Sequence, residues 1–230
     1  MSSNTVFITG SSRGIGLALA TWFTAAGWKV IGAARTPAKA DKLRALNPHK
    51  IVQLDTTDEA SIQNAAKELE GEEIDLLINN AGICHREDFF TLTRESLVQQ
   101  FDVNTVGPFL VTRAFYPHVK AAATSKGHAK IAHISSVLGS ISLSNGTLTG
   151  YSVSKAALNM LHTSITASAK ADNISCIVIC PGYVSTDMNG EVPGTIKPEK
   201  SAEMVGKVLT GYTAADTGKY YSHEGSELAW

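Results

Sequence analysis

The feature of this sequence that most constrains its fold is the alternation of short apolar runs with longer amphipathic segments. Runs such as DLLIN and CIVIC are apolar at successive positions, whereas a strand with one solvated face would alternate apolar and polar residues. A run of this kind is buried on both faces, as in a parallel sheet that has helices on either side. The runs predict seven strands: Thr5–Thr9, Trp28–Ala34, Lys50–Leu54, Ile74–Asn79, Lys130–Ser135, Ile174–Cys180 and Lys219–Ser222.

Helical patterns fill the connections between these strands. The predicted helices are Ile15–Ala26, Pro37–Leu46, Asp58–Leu69, Arg94–Ala121, Tyr151–Lys170 and Pro198–Leu209. Thr56 and Glu59 have the spacing of a capping box, which predicts the start of the third helix. The order predicts an α/β fold: a doubly wound, seven-stranded parallel sheet (Rossmann fold) in a single domain over 1–230, with a short substrate loop at about 182–197.

The composition narrows the class of protein. The chain has 230 residues, of which 43% are hydrophobic, and its net charge of −1 provides no field for binding nucleic acid or anionic lipid. Cys84, Cys176 and Cys180 lack the spacing of zinc ligands and are odd in number, so we expect free thiols, no metal and a cytoplasmic location.

The sequence shows no membrane or targeting segment. No apolar run reaches the ~18 residues of a membrane helix. A strand starting at Thr5 leaves no room for a signal peptide.

The segment TGSSRGIG follows the first predicted strand and precedes the first predicted helix. Gly10, Gly14 and Gly16 allow a tight turn and a close approach of the backbone to a ligand. The free N–H groups and the dipole at the start of the helix attract an anion. The segment therefore predicts a site for the pyrophosphate of a dinucleotide. A tight turn whose glycines serve only packing is the alternative.

Two other motifs, the Walker phosphate loop and the nucleophile elbow of serine hydrolases, have glycines at similar positions. No Gly-Lys-Ser/Thr follows, which excludes a Walker loop. Gly10 to Gly14 match G-x-S-x-G, so Ser12 could be the nucleophile of a serine hydrolase. Against this, the turn follows the very first strand and no HGGG-type segment precedes it. The hydrolase stays open as a minor alternative.

The end of the second predicted strand indicates which dinucleotide is preferred. An NAD site has an acidic residue there for the ribose 2′-hydroxyl, whereas this chain has Arg35. Arg35 and Arg13 offer two guanidinium groups to a 2′-phosphate, which favours NADP(H) as the cofactor. The alternative is that both arginines are solvated surface charges.

Tyr151 and Lys155 lie one helical turn apart, so both side chains share one face. An adjacent ammonium favours a phenolate, so we expect Lys155 to lower the pKa of Tyr151 and to permit proton exchange near pH 7.

A second pair, Tyr116 and Lys120, has the same spacing. In a right-handed βαβ unit helices start at the carboxyl edge of the strands, where ligands bind. Tyr151 begins a helix, whereas Tyr116 lies near the end of one that we expect to close near Pro117, and we interpret Tyr116 as a packing residue.

Two further polar residues lie near the same edge. Ser136 follows the fifth predicted strand and can donate its hydroxyl to a carbonyl oxygen that gains negative charge, whereas Ser135 faces the other side of the sheet. Asn104 lies within a predicted helix, four residues before Pro108. Because proline has no N–H, we expect an orphaned carbonyl and a kink at Asn104, where an ordered water could relay protons. A kink with only a structural role is the alternative.

Taken in order, these residues resemble the short-chain dehydrogenase/reductase family, in its single-domain form. The motifs that carry the resemblance are TGSSRGIG, Asp55, the NNAG at 79–82, Asn104, Ser136, Tyr151-x-x-x-Lys155 and the PGYVSTDM at 181–188. The resemblance implies a tetrad in which Tyr151 is the general acid and Ser136 orients the carbonyl. Lys155 would grip the nicotinamide ribose, and Asn104 would position the relay water. The ending GKYYSHEGSELAW resembles the small carbonyl-reductase branch of the family, and Arg13 with Arg35 its NADP-preferring members.

The resemblance also implies the remaining contacts of the cofactor and the substrate. Cofactor contacts would come from Ser12 and Ile15 in the glycine turn, Asp55 at the adenine, Asn80, Ala81 and Gly82 along its ribose, and Pro181, Val184 and Thr186 in the PGYVSTDM segment. The segment between Ser136 and Tyr151 is slightly longer than is usual in the family. By location, the candidates for the substrate pocket are His85, Arg86, Leu138, Leu143, Leu148, Tyr183 and Met188.

The sequence thus predicts an NADP-dependent oxidoreductase that reduces an aldehyde or ketone, with a small carbonyl compound as its partner and a homodimer or homotetramer as its assembly. A catalytically idle NADP-binding sensor or scaffold is the alternative from another class. It would be expected to have a broken tetrad, whereas all four positions are filled here.

Overall fold

The predicted strands are all present in the computed structural model, which describes residues 4–188 and 192–230. Their bounds are β1 (Thr5–Ile8), β2 (Lys29–Ala34), β3 (Lys50–Gln53), β4 (Leu76–Asn79), β5 (Ala129–Ile134), β6 (Ile174–Cys180) and β7 (Lys219–Ser222). Within the described residues they form one seven-stranded sheet in the order β3-β2-β1-β4-β5-β6-β7, and its neighbouring strands are parallel. The chain moves outward from β1 to β3 and then returns to β4. The order therefore reverses between β1 and β4, which is where such sheets bind ligands.

Helices cover both faces of this sheet. Their bounds are α1 (Gly14–Ala25), α2 (Asp41–Arg44), α3 (Glu59–Glu68), α4 (Arg94–Phe101), α5 (Gly107–Lys126), α6 (Thr149–Ala169) and α7 (Pro198–Gly211). The core on one face contains residues of α1, α2 and α7, and the core on the other contains residues of α3, α5 and α6. Val6 and Phe7 are successive residues of β1, both are fully buried, and they belong to opposite cores. The doubly wound fold and the reasoning from continuous apolar runs are confirmed.

The local ends of several helices differ from the predictions. Asp58, rather than Thr56, caps α3, because its Oδ1 accepts the N–H groups of Ala60 and Ser61 at 2.9 and 3.2 Å. The helix predicted at 37–46 is a short 3₁₀ turn followed by α2. The prediction that a helix closes near Pro117 is wrong, since α5 continues to Lys126 and ends at Gly127, whose φ is +84°.

The segment predicted as one helix over Arg94–Ala121 is interrupted where Pro108 suggested a kink. Asp102–Val106 forms a π-helical turn between α4 and α5, and the N–H of Gly107 donates to the carbonyl of Asp102, five residues earlier. A π turn accommodates one extra residue in a helix and is frequent at functional sites. The deviation is therefore a change in helical winding, and it places Asn104 at its centre.

None of the helices in the described residues is long and apolar enough to cross a membrane.

Candidate active site

A cavity of about 630 Å³ lies at the carboxyl edge of the sheet, beside the point where the strand order reverses. It contains most of the residues predicted to hold a cofactor, together with two of the substrate candidates. These lining residues are Gly10, Ser12, Arg13, Gly14, Ile15, Gly16, Arg35, Asp55, Asn80, Ala81, Gly82 and Thr186, and on the substrate side His85 and Met188. Its size suits a ligand larger than a single small metabolite.

Other candidates lie beside this cavity rather than in its described lining. Val184 is buried and forms a bridge with Ile196, while the carbonyl of Pro181 accepts the hydroxyl of Ser201 at 2.7 Å. Leu143 and Tyr183 are exposed at the surface. The other candidates outside this lining are Arg86, Asn104, Ser136, Leu138, Leu148, Tyr151 and Lys155. Residues 189–191 of the predicted substrate loop lie outside the described residues.

The glycine turn has the geometry that the sequence predicted. Gly10 and Gly14 have φ values of +65° and +54°, a region that favours glycine. A Cβ on Gly16 would lie 2.3 Å from the carbonyl oxygen of Gly10 and 2.5 Å from Nδ2 of Asn80. That amide in turn donates to the carbonyl of Thr9 at 2.9 Å, so the turn after β1 is fastened to the end of β4. The start of α1 is thereby presented to the cavity.

Two arginines stand at the rim of the cavity, and both are exposed. Arg13 forms an ion pair with Asp187 at 2.9 Å, between the glycine turn and the segment that follows Thr186. Sequence reasoning missed Asp187, because it gave no indication of which acidic residue would lie opposite Arg13. Asp55 lies deeper, and its Oδ1 accepts the N–H and the hydroxyl of Thr57 at 3.0 and 2.9 Å.

The side chain of Asn104 joins three parts of the site. Its Nδ2 donates to the carbonyl of Ile83 and to Oγ of Ser154, and its Oδ1 accepts the N–H of Ile83, each at 2.9 Å. Asn104 is fully buried and so is Ser154. The segment after β4 is therefore held against α6 through one amide. Sequence reasoning missed Ser154, although its position three residues after Tyr151 puts it near that face of the helix.

Lys155 and Asn104 lie beside Gly82, and Tyr151 lies beside Lys155. A Cβ placed on Gly82 would lie 3.1 Å from Oδ1 of Asn104 and 3.6 Å from Nζ of Lys155. Nζ of Lys155 donates to the carbonyl of Ile134 at 2.8 Å and lies 5.8 Å from the centre of the Tyr151 ring. Lys155 and Asn104 thus adjoin the cavity wall at Gly82, and Tyr151 is reached through Lys155.

The predicted lowering of the Tyr151 pKa is wrong for this structure. Burial raises the pKa of Tyr151 well above its ordinary value of 10.0, the Cys84 thiol acts in the same direction, and the nearby Ser136 side chain opposes them. Lys155 is itself almost fully buried, and burial lowers its pKa from 10.5 to about 8. The phenol therefore keeps its proton at neutral pH, and the ammonium is the group that titrates more readily.

The second Tyr-x-x-x-Lys pair lies elsewhere and has another role. The hydroxyl of Tyr116 donates to Asp172 at 2.9 Å, and Nζ of Lys120 pairs with the same carboxylate at 2.9 Å. Asp172 ends the 3₁₀ turn that follows α6, which is at the opposite end of that helix from Tyr151. The interpretation of Tyr116 as a packing residue is confirmed.

Ser135 and His85 are each held by specific partners. The hydroxyl of Ser135 donates to Oδ1 of Asn159 at 2.8 Å, which is a structural role. The N–H of His85 donates to Oε1 of Gln100 at 3.0 Å, and its Nδ1 lies 2.8 Å from Oγ of Ser96. His85 is consequently a fixed part of the cavity wall.

Comparison with known proteins adds independent information. A family model described as short chain dehydrogenase matches residues 4–196. The chain is 33% identical to the short chain dehydrogenase gsfK of Penicillium aethiopicum, over 98% of this chain and 99% of that protein. The NADPH-bound carbonyl reductase from chicken fatty liver is 32% identical with a TM-score of 0.91, and the carbonyl reductase Sniffer of D. melanogaster is 27% identical with a TM-score of 0.92. Each structural match covers 100% of both chains.

Proposed function

Because the chain belongs to the short-chain dehydrogenase family, we propose that it is an NADPH-dependent reductase that converts an aldehyde or ketone to the alcohol. One observation carries this proposal. The Tyr151 ring lies 5.8 Å from Nζ of Lys155 and near Ser136, and Lys155 and Asn104 adjoin Gly82 in the wall of the cavity that would hold the dinucleotide. Ser12 lines the same cavity, but the match to a family of dehydrogenases argues against a serine hydrolase.

The residues of the cavity fit a nicotinamide dinucleotide. The first turn of α1 contains no acidic residue, and Gly14 and Ile15 at its start line the cavity, so the positive end of the helix suits a pyrophosphate. Gly14 leaves this surface open, since a Cβ there would meet only the Thr186 side chain at 3.6 Å.

The charges at the rim favour the phosphorylated form of the dinucleotide. Arg35 stands directly after β2, where an acidic residue would repel a 2′-phosphate, and Arg13 stands at the same rim. Both guanidinium groups can donate to a phosphate dianion. The chicken relative is described as an NADPH-bound enzyme, which agrees with this choice.

The chemistry of reduction divides between the cofactor and the protein. When bound, a reduced nicotinamide supplies a hydride to the carbonyl carbon. The Ser136 hydroxyl donates to the carbonyl oxygen, where negative charge grows, and Tyr151 donates its proton to that oxygen. The raised pKa of Tyr151 keeps the phenol in the protonated form that this step consumes.

Lys155 and Asn104 support the proton transfer. A phenolate formed at Tyr151 is costly in a buried site, and the nearby ammonium of Lys155 offsets part of that cost. Asn104 fixes the backbone of Ile83 and the helix that carries Tyr151, through Ser154. The proposed reaction therefore needs Lys155 charged and Tyr151 neutral.

The test is the consumption of NADPH with a panel of aldehydes and ketones. Tyr151→Phe is expected to lower turnover by about 10²–10⁴, the usual contribution of a general acid, with NADPH binding unchanged. Tyr116→Phe is the matched control, since it removes a phenol hydroxyl at the opposite end of the sheet. Full turnover in Tyr151→Phe would refute the mechanism, and NADPH binding without turnover in the wild type would favour the sensor alternative.

A further inference from the structure

The turn that carries Ser136 is held by contacts from β7, two strands away from β5. The main-chain carbonyl of Ser136 accepts the hydroxyl of Tyr220 at 2.5 Å and the N–H of Gly139 at 2.7 Å. Its Oγ accepts the N–H of Leu138 at 3.2 Å. Tyr220 thus reaches across β6 and donates a hydrogen bond to Ser136, the residue that is proposed to orient the substrate carbonyl.

The hydroxyl of Tyr220 is not explained by packing. Tyr220 is fully buried, and a phenylalanine would fill the same space without burying a polar group. The carbonyl of Ser136 would still have a hydrogen-bond donor without Tyr220, because the N–H of Gly139 already donates to it. The second bond instead fixes the direction of the carbonyl and, with it, the orientation of the Ser136 main chain.

The segment after β7 supports Tyr220 from behind. It folds back along the edge of the sheet, where the N–H of Leu228 donates to the carbonyl of Tyr220 at 2.7 Å. The ring of Trp230 stacks on the Tyr220 ring at 5.3 Å between centres. The carbonyl of Trp230 also accepts the N–H and the hydroxyl of Ser142, at 3.1 and 2.8 Å. Trp230 therefore contacts both Tyr220 and the segment that follows the Ser136 turn.

We propose that Tyr220, backed by Trp230, is a positioning residue that fixes the Ser136 turn for the reaction. This inference rests on the proposed function. The Tyr220 hydroxyl contacts the carbonyl of Ser136 and Tyr220 does not line the cavity among the described residues, so we expect its effect to fall on Ser136 rather than on cofactor binding. Misplacement of a catalytic group by about 1 Å can lower turnover about 100-fold, so a partial loosening of this turn is expected to lower kcat about tenfold.

The test compares Tyr220→Phe with Tyr221→Phe in the full chain. Tyr221 is the neighbouring residue, and its hydroxyl donates to Asp216 at 2.8 Å, away from the Ser136 turn. Tyr220→Phe is expected to lower kcat about tenfold, to leave the Kd for NADPH within about twofold, and to speed amide hydrogen exchange in residues 136–142. Tyr221→Phe is expected to change none of the three. Trp230→Ala alters a partly exposed side chain and is expected to shift kcat and exchange in the same direction as Tyr220→Phe.

Hydrogen exchange separates this inference from the proposed function, because it needs no turnover. If the wild type reduces no carbonyl compound, the proposed function fails, while faster exchange at 136–142 in Tyr220→Phe would still support the structural part of the inference. Unchanged exchange in that variant would overturn the inference. So would faster exchange with unchanged kcat in an active enzyme, or equal effects of Tyr220→Phe and Tyr221→Phe.

Discussion

Lys155→Met is the substitution whose effect can be worked out most fully from the structure. Nζ of Lys155 is buried and donates to the main-chain carbonyl of Ile134, and the Cys180 and Cys84 thiols only partly oppose the effect of burial on its pKa. Burial penalises the charged form, which is why the pKa of Lys155 falls to about 8 from 10.5. Methionine has a similar length and carries no charge, so it removes the titration and keeps most of the volume.

The sign and the size of the effect follow from the two pKa values. Below pH 8 the ammonium is charged in the folded and the unfolded chain, and folding bears the whole cost of burying it, about 3 kcal/mol for a shift from 10.5 to about 8. Between pH 8 and 10.5 the folded chain loses the proton first, so the unfolded chain binds more protons and stability rises with pH. Relative to Lys155→Met, the wild type should gain about 2–3 kcal/mol in its free energy of unfolding between pH 7 and pH 10.

Urea titrations of both proteins without nucleotide, at intervals from pH 7 to pH 10, measure this difference. Groups that do not interact with Lys155 contribute equally to both proteins and cancel, and the Cys84 and Cys180 thiols are the described groups whose pKa Lys155 lowers. Lys67→Met removes an exposed lysine of α3, and it measures how far the loss of any lysine charge alters the dependence of the free energy of unfolding on pH. A difference between wild type and Lys155→Met that stays constant over this pH range would refute the idea that the ammonium is buried at a cost.

Three other predictions concern the cofactor site. Arg35→Asp should weaken NADPH binding far more than NADH binding, measured by nucleotide fluorescence, and equal losses would remove the argument for a 2′-phosphate site. Gly16→Ala should abolish nucleotide binding, because its Cβ would lie 2.3 Å from the Gly10 carbonyl oxygen, and a Kd unchanged by calorimetry would contradict this. Asp187→Asn should free Arg13 and tighten NADPH binding by up to about fivefold, the worth of an exposed ion pair, whereas weaker binding would show that Asp187 assists the cofactor.

The sheet and the position of the site could be predicted because their causes are local in the sequence. Apolar residues at successive positions require burial on both faces, and Val6 and Phe7 show this directly by entering opposite cores. Tyr151 could be distinguished from Tyr116, although both precede a lysine by four residues, because it lies at the start of a helix and therefore at the carboxyl edge of the sheet. Each of these inferences depends on spacing and strand direction alone.

The electrostatics of the site could not be predicted, because they depend on groups that only folding brings together. Spacing placed Lys155 near Tyr151, but the amine points to the carbonyl of Ile134, and burial outweighs its effect on the phenol. Tyr220 is distant in sequence from Ser136, and no motif marks it. The ion pair between Arg13 and Asp187 likewise joins two segments that are distant in sequence, and no sequence pattern predicts that they meet.

The π-helical turn at Asp102–Val106 has a consequence for changes in chain length. Deletion of one residue between Phe101 and Gly107 would let α4 and α5 merge into one regular helix, with ordinary hydrogen bonds throughout. The preceding helix would then rotate by about 100° about its axis, and the Asn104 amide would leave Ile83. A shortened chain of this kind is expected to be more regular and yet inactive, because irregular winding there holds the amide in place.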